Sequence, residues 1–175
     1  MQISSEELHR ATEGFSPGNL LGAGSSGSVY RGLLPDNTLV AVKIVLTSCC
    51  TVDFRALVLE FMSKGSLEHH LHDDKRQGRL SLKTRLNIAL DVAHGMAYLH
   101  HDCSSPVIHC DLKPSNVLMD ETMTAHVSDF GIARLMMPAD GASSSTSRPK
   151  GTVGYIAPGK IAINTEAQDY VEFLF

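Results

Sequence analysis

The ten residues Val107 to Asn116 read Val-Ile-His-Cys-Asp-Leu-Lys-Pro-Ser-Asn, and Asp129-Phe130-Gly131 follows a short strand-turn-strand later. An apolar lead-in, then His, Asp, Lys and Asn in one loop, places an acid, a cation and an amide at the edge of a single cavity. That set suits phosphate and a hard metal ion. An Asp at a loop tip can accept or orient a hydroxyl proton, a Lys two residues on can neutralise phosphate charge, and an Asn can share a divalent cation with a second Asp. Asp129 supplies the second carboxylate. Either motif alone is an ordinary tripeptide or turn; their order and spacing together constrain the chain.

Composition narrows the class. A chain of 175 residues, 43% of them hydrophobic, can hold a domain with a core and is not a disordered segment. Its formal charge of -4, without a Lys/Arg cluster, gives no footprint for nucleic acid. Cys49, Cys50, Cys103 and Cys110 form no metal-type pair and are expected as reduced thiols. His69, His70, His72, His100 and His101 include adjacent pairs that diverge on a helix, so a solvated face is expected rather than a metal site. No apolar run approaches the roughly 20 residues of a membrane span, and the N-terminus lacks a basic-then-apolar signal. A soluble cytosolic chain with no membrane span is the expectation.

Taken in order, Ser4 and Glu7 have capping-box spacing ahead of Leu8, Ala11 and Phe15 on one helical face, and Gly14, Pro17 and Gly18 end the helix. Met1 to Ser16 is expected to lie against the domain. Leu20 to Gly32 carries Gly22, Gly24 and Gly27, followed by β-branched and aromatic residues without a helical stripe, so the glycines fall between two strands. Such a hairpin can fold its amides over nucleotide phosphates. Pro35-Asp36-Asn37 is a turn, and Leu39 to Val45 alternates as a strand containing Lys43. Leu57 to Met62 reads as a buried strand. From Ser81 to His101, Leu82, Leu86, Ala89, Val92, Ala93, Met96 and Leu99 recur at helical spacing, predicting one buried face. Val117 to Met119 and Ala125 to Val127 are expected to pair around Asp120-Glu121.

These stretches resemble the glycine-rich loop, the strand lysine, the catalytic loop and the metal-binding loop of eukaryotic protein kinases. Glu7 to Ser16 is similar to the segment before the kinase domain in plant receptor-like kinases. The resemblance implies an α+β, two-lobed protein kinase-like fold: a juxtamembrane-like segment 1–18, a partial kinase domain 19–159 and a tail 160–175. It implies a serine/threonine protein kinase, with Asp111 and Lys113 catalytic and Asn116 and Asp129 holding Mg²⁺. ATP would be held by Gly22, Gly24, Gly27, Val29, Ala41, Lys43 and the backbone of Glu60 and Met62, with Leu59 at the gate of the nucleotide pocket. Thr152 would bridge Asp111 and Lys113. Lys113 and Thr152 match serine/threonine rather than tyrosine kinases. A protein substrate is implied, and full-length relatives place such domains at the cytoplasmic side of the plasma membrane.

The chain departs from the family in three places. Leu46 to Asp53 carries no Glu and is too short for the regulatory helix that would hold Lys43, so the β-rich lobe is expected to lack it. Ala157-Pro158-Gly159 stands where the family has Ala-Pro-Glu, and Lys160 to Phe175 carries none of the family's motifs, which implies a truncated helical lobe. Three readings stay open at this level: a working kinase, a nucleotide-binding pseudokinase acting on a full-length receptor kinase partner, and a remnant of a receptor kinase gene.

Cys110 occupies the position where most kinases have an Arg that pairs with loop phosphates, so the chain resembles the non-RD subgroup of leucine-rich-repeat receptor kinases. Phosphomimetic substitution within Ser143 to Ser147 is therefore expected to act alike in the wild type and in Cys110→Ser. A gain of activity seen only in the wild type would overturn the expectation.

Overall fold

Ser4 starts the first helix, α1 (Ser5–Ala11), by a reciprocal cap. Its hydroxyl accepts the Glu7 N–H at 3.2 Å, and the Glu7 carboxylate accepts the Ser4 N–H at 2.8 Å. Such a cap contributes about 1 kcal/mol. The computed structural model describes residues 3–24, 27–45, 55–72, 80–135, 151–152 and 154–155. The predicted linker 46–53, the polar loop 73–78, most of the Gly/Ser/Thr-rich segment after Leu135, the Ala157-Pro158-Gly159 signature and the tail lie outside the described residues. The chain divides into two compact units, Met1–Met62 and Ser63–Phe175.

In the first unit four antiparallel strands stand in the order β1 (Leu20–Gly24), β2 (Gly27–Leu33), β3 (Leu39–Val45), β4 (Ala56–Glu60). The glycines thus fall between two strands, as the sequence predicts. Side chains alternate across a strand. Val40 and Val42 face α1 and bury with Leu8 and Leu34, flanked by Ala11, Phe15, Ala56 and Val58. Thr12, fully buried, ties helix to sheet: its hydroxyl donates to the Leu8 carbonyl at 2.8 Å, and its own carbonyl accepts Asn19 Nδ2 at 3.2 Å. Asn19 Oδ1 in turn accepts Arg31 Nη2 from β2 at 3.3 Å. The expected amphipathic N-terminal segment is therefore part of the first unit's core.

The other face of this sheet is not dressed in the same way. Leu57 and Leu59 are 52% and 48% exposed, which corrects the expectation of a buried strand from Leu57 to Met62. An apolar run does not by itself tell a central strand from an edge strand. Among the described residues β4 is the last strand of the sheet, and α1 packs over the face that carries Ala56 and Val58.

The second unit holds α2 (Leu67–His72) and α3 (Leu82–Ala97), a short ladder of β5 (Gly65–Ser66), β7 (Val117–Met119) and β8 (Ala125–Val127), and the pair β6 (Val107–Ile108) with β9 (Arg134–Leu135). Ser81 caps α3 by accepting the Thr84 N–H at 3.1 Å. Leu67, Ile88, Val92, Met96, Leu112, Val117, Met119 and Ala125 form the core. The predicted hairpin around Asp120 is present, and Asp91 of α3 accepts the Ala125 N–H at 3.0 Å, fixing β8 to the helix.

The α3 stripe needs correction. Ile88, Val92 and Met96 are fully buried, whereas Leu82 and Leu86 are 73% and 56% exposed. Two apolar rows run along this helix at i, i+4 spacing: Ile88, Val92 and Met96 face the core, and Leu82, Leu86 and Leu90 lie on another side. Periodicity alone merged them into one face. Ile88→Ala is expected to cost about 2–5 kcal/mol in chemical denaturation, and Leu82→Ala to stay within about 0.5 kcal/mol. Equal losses at both positions would mean that the helix faces are assigned wrongly.

Candidate active site

The second unit assembles its polar loop around a buried imidazole. β6 delivers His109, which is fully buried, and the chain turns at Cys110, whose φ of 66 lies in the left-handed region. Asp111 donates its backbone N–H to His109 Nδ1 at 3.2 Å. The other ring nitrogen, Nε2, therefore carries the proton and donates to the Ser128 carbonyl at 2.8 Å. An Nδ1 that accepts requires a neutral ring. Burial pushes the His109 pKa below its usual value and outweighs the Ser128 bond and the Asp111 and Asp129 charges, which pull it upward. Phe130 meets the same ring edge-on, with centroids 4.8 Å apart.

The Asp111 carboxylate is held by four donors. On Oδ1 it accepts the Thr152 N–H at 3.0 Å and the Thr152 hydroxyl at 2.6 Å. On Oδ2 it accepts Asn116 Nδ2 at 3.1 Å and pairs with Lys113 Nζ at 3.0 Å. Lys113 also donates to Thr152 Oγ1 at 2.8 Å, which closes a triangle of Asp, Lys and Thr. Partial burial alone pushes the Asp111 carboxyl upward; the bonds from Thr152 and Lys113, the Lys113 charge and Asn116 together outweigh it and leave the pKa below the usual range. Asp111 is thus an anion whose position is fixed from several sides.

Asn116 and Asp129 are brought to neighbouring points of the chain. The Asn116 carbonyl accepts both the N–H and the hydroxyl of Ser128, at 2.8 and 3.0 Å, and Asp129 is the next residue. Asn116 spends its amide nitrogen on the Asp111 carbonyl and carboxylate, which turns its Oδ1 into the atom that can meet a cation. An amide oxygen and a carboxylate are hard oxygen donors, suited to a small divalent ion that keeps several other oxygen ligands. Among the described residues no three His, Cys, Asp or Glu side chains cluster as a metal site.

In the first unit Gly22, Val29, Lys43 and Leu57 stand opposite one another across the four strands. Ala41 and Leu59 are a second opposed pair on the same face, two residues along. Gly27, with φ 133, cannot carry a side chain, because a Cβ would collide with the Ile44 carbonyl oxygen. Gly22 and Gly24 have open space where a Cβ would stand. Packing within the unit therefore demands glycine at 27 but not at 22 or 24. Glu60 ends β4, and Met62 lies just beyond it.

Sequence reasoning left two residues unassigned. Ser128 links Asn116 to His109, and nothing in its sequence context marks it. His109 belongs to the motif, but its function as the residue that orients the Asp111 backbone shows only in the geometry. Cys110 keeps its thiol protonated: burial and the Asp111 charge push its pKa up, against the opposing Arg134 charge.

The family model for the protein kinase domain matches residues 45–172. A probable LRR receptor-like serine/threonine-protein kinase of Arabidopsis thaliana is 40% identical over 219 residues, which covers 97% of this chain and 22% of that protein. The LRR receptor-like serine/threonine-protein kinase EFR of the same plant is 41% identical over 204 residues, with coverages of 90% and 20%. Receptor kinase-like protein Xa21 of Oryza sativa subsp. japonica is 41% identical over 199 residues, with 89% and 19%. The chain spans about a fifth of the length of these relatives. Each aligned stretch is longer than the 175 residues of the chain, so the relatives carry residues with no counterpart in it.

A neutral, buried His109 has a pH signature. Its folded-state pKa lies below the ordinary value of about 6.5. Its contribution to stability is therefore complete above about pH 6.5 and is lost as pH falls, because the unfolded chain binds a proton that the folded site refuses. Ring-resolved NMR should show His109 titrating below free histidine as the Nε2–H tautomer. A midpoint at or above about 6.5 would contradict the site as described.

Proposed function

We propose, because this chain belongs to the protein kinase domain family, that it is a serine/threonine protein kinase, transferring the γ-phosphoryl group of ATP to a Ser or Thr hydroxyl of a protein substrate. The observation that carries this reading is the Asp111–Lys113–Thr152 triangle, an ionised carboxylate locked in place beside a cation. In the second unit Asp111 orients the substrate hydroxyl and receives its proton, and Lys113 stabilises charge on the transferred phosphoryl. Asn116 and Asp129 would hold Mg²⁺, which supplies charge neutralisation at the phosphates when bound. In the first unit Lys43 and the backbone at Gly22, Gly24 and Gly27 position the phosphates, Val29 and Ala41 pack on the adenine, and the backbone of Glu60 and Met62 reads its edge. Catalysis of this kind rests on positioning and fixed charge.

By the same reading residues 1–18 form the segment before the kinase domain, 19–159 the partial domain and 160–175 a separate tail. A full-length receptor kinase is the proposed partner, at the cytoplasmic side of the plasma membrane. Among the described residues no helix is long and apolar enough to cross a membrane. One observation favours a second reading, a nucleotide-binding pseudokinase: the aligned relatives carry residues that this chain lacks.

Thermal unfolding with and without Mg-ATP tests nucleotide binding. Ligand at about 100 times its dissociation constant should add roughly 2.7 kcal/mol, a shift of several degrees, and Lys43→Ala should abolish it. Asp111→Asn should keep that shift while phosphate transfer drops about 10²–10⁴-fold. A shift without transfer in the wild type selects the pseudokinase, and absence of any shift rejects nucleotide binding altogether.

A further inference from the structure

The first unit's sheet ends on two very different strands. β1 carries a register shift between Leu20 and Gly22 and has glycine at 22 and 24, and such a bulged, glycine-rich edge is a poor template for pairing. β4, at the other end, reads Ala-Leu-Val-Leu-Glu, without a bulge, a proline or a lysine. Among the described residues no strand pairs with its outer side. Leu57 and Leu59 stand half-exposed on one face of it.

The ladder fixes which backbone groups point outward. Val45 donates its N–H to the Arg55 carbonyl at 2.9 Å, and the register continues in step through Lys43↔Leu57 and Ala41↔Leu59. Hydrogen-bonded pairs alternate along an antiparallel ladder. Arg55, Leu57 and Leu59 therefore bond to β3, and Ala56, Val58 and Glu60 present their N–H and C=O groups to the outside.

We propose that β4 is a self-pairing edge, through which two copies of this chain join antiparallel about a two-fold axis at Val58. The stretch Leu57-Val58-Leu59 reads alike in both directions, so Val58 pairs with its own copy and Ala56 with the partner's Glu60. Leu57 then lies opposite the partner's Leu59 in the non-hydrogen-bonded sites, where side chains approach most closely. The two-fold merges four half-exposed leucines into one apolar patch on a continuous sheet. The contact is isologous and consumes both edges, so it closes at a dimer. The end pairs use the Glu60 backbone groups, so on the nucleotide reading above ATP would weaken the dimer. The dimer itself does not rest on that reading.

Amide hydrogen exchange of the full chain, followed over about a hundredfold range of concentration alongside the mass in solution, tests the proposal. At high concentration the mass should double, and the amides of Ala56, Val58 and Glu60 should slow about tenfold or more, while those of Leu57 and Leu59, bonded to β3 throughout, do not change with concentration. Leu57→Glu sets a carboxylate opposite Lys43 on β3, a pairing the folded sheet favours. It also places two like charges in the shared patch, so it should leave the melting transition in place and hold the chain monomeric. A monomer throughout overturns the proposal. A dimer or larger assembly without alternating protection, or one that persists in Leu57→Glu, assigns association to another surface and overturns it equally.

Discussion

The Asp111 carboxylate is the interaction on which the second unit's site depends. A carboxylate taken partly out of water loses hydration that its neighbours must replace. Four donors do so, and they come from far apart in the chain: Lys113 and Asn116 from its own loop, and the Thr152 amide and hydroxyl from some forty residues downstream. The charge therefore acts as a clamp between the loop and Thr152. Remove it, and Lys113, Asn116 and Thr152 lose their common partner. The same clamp holds the carboxylate ionised and aimed, as a group that orients a hydroxyl requires.

In the first unit the organising constraint is that a sheet has two faces. Alternation sends Val40 and Val42 to one side, where Leu8 and the buried Thr12 close over them. It sends Ala41 and Lys43 to the other, opposite Leu59 and Leu57. The helix that dresses the first face was legible in the sequence, because a capping box and three apolar residues at helical spacing specify both where it starts and which side it buries. The exposure of the second face was not. Leu57 to Met62 reads the same whether its strand is central or terminal, and strand order is a property of pairing that no local run of residues encodes.

The candidate site divides along similar lines. Asp111, Lys113, Asn116 and Asp129 lie in compact motifs whose residue types declare phosphate and metal chemistry, so they could be chosen from sequence. Thr152 was reached only through its resemblance to a family, since it is remote from the loop in sequence. Ser128 was missed, because its contribution is one carbonyl, one amide and one hydroxyl, which almost any serine could offer. The α3 rows failed for another reason: apolar residues repeat at i, i+4 on two sides of the helix, and only packing against Val117, Met119 and Ala125 decides which row is core.

Backbone conformation adds a last link. Cys110 and Asp129 both lie at positive φ, 66 and 62, in a region that costs most residues energy. Asp tolerates that conformation better than most, whereas Cys has no such advantage. Each of the two adjoins an end of the same hydrogen bond: His109 precedes Cys110, and Ser128 precedes Asp129. The buried imidazole thus adjoins both turns, through an Nε2–H that donates to the Ser128 carbonyl and an Nδ1 that accepts from the Asp111 backbone. Strain of about 1–3 kcal/mol per residue persists only where the surroundings over-determine it. Here the neutral ring is one of those surroundings, so the protonation state of His109 bears on the backbone at both Asp111 and Asp129.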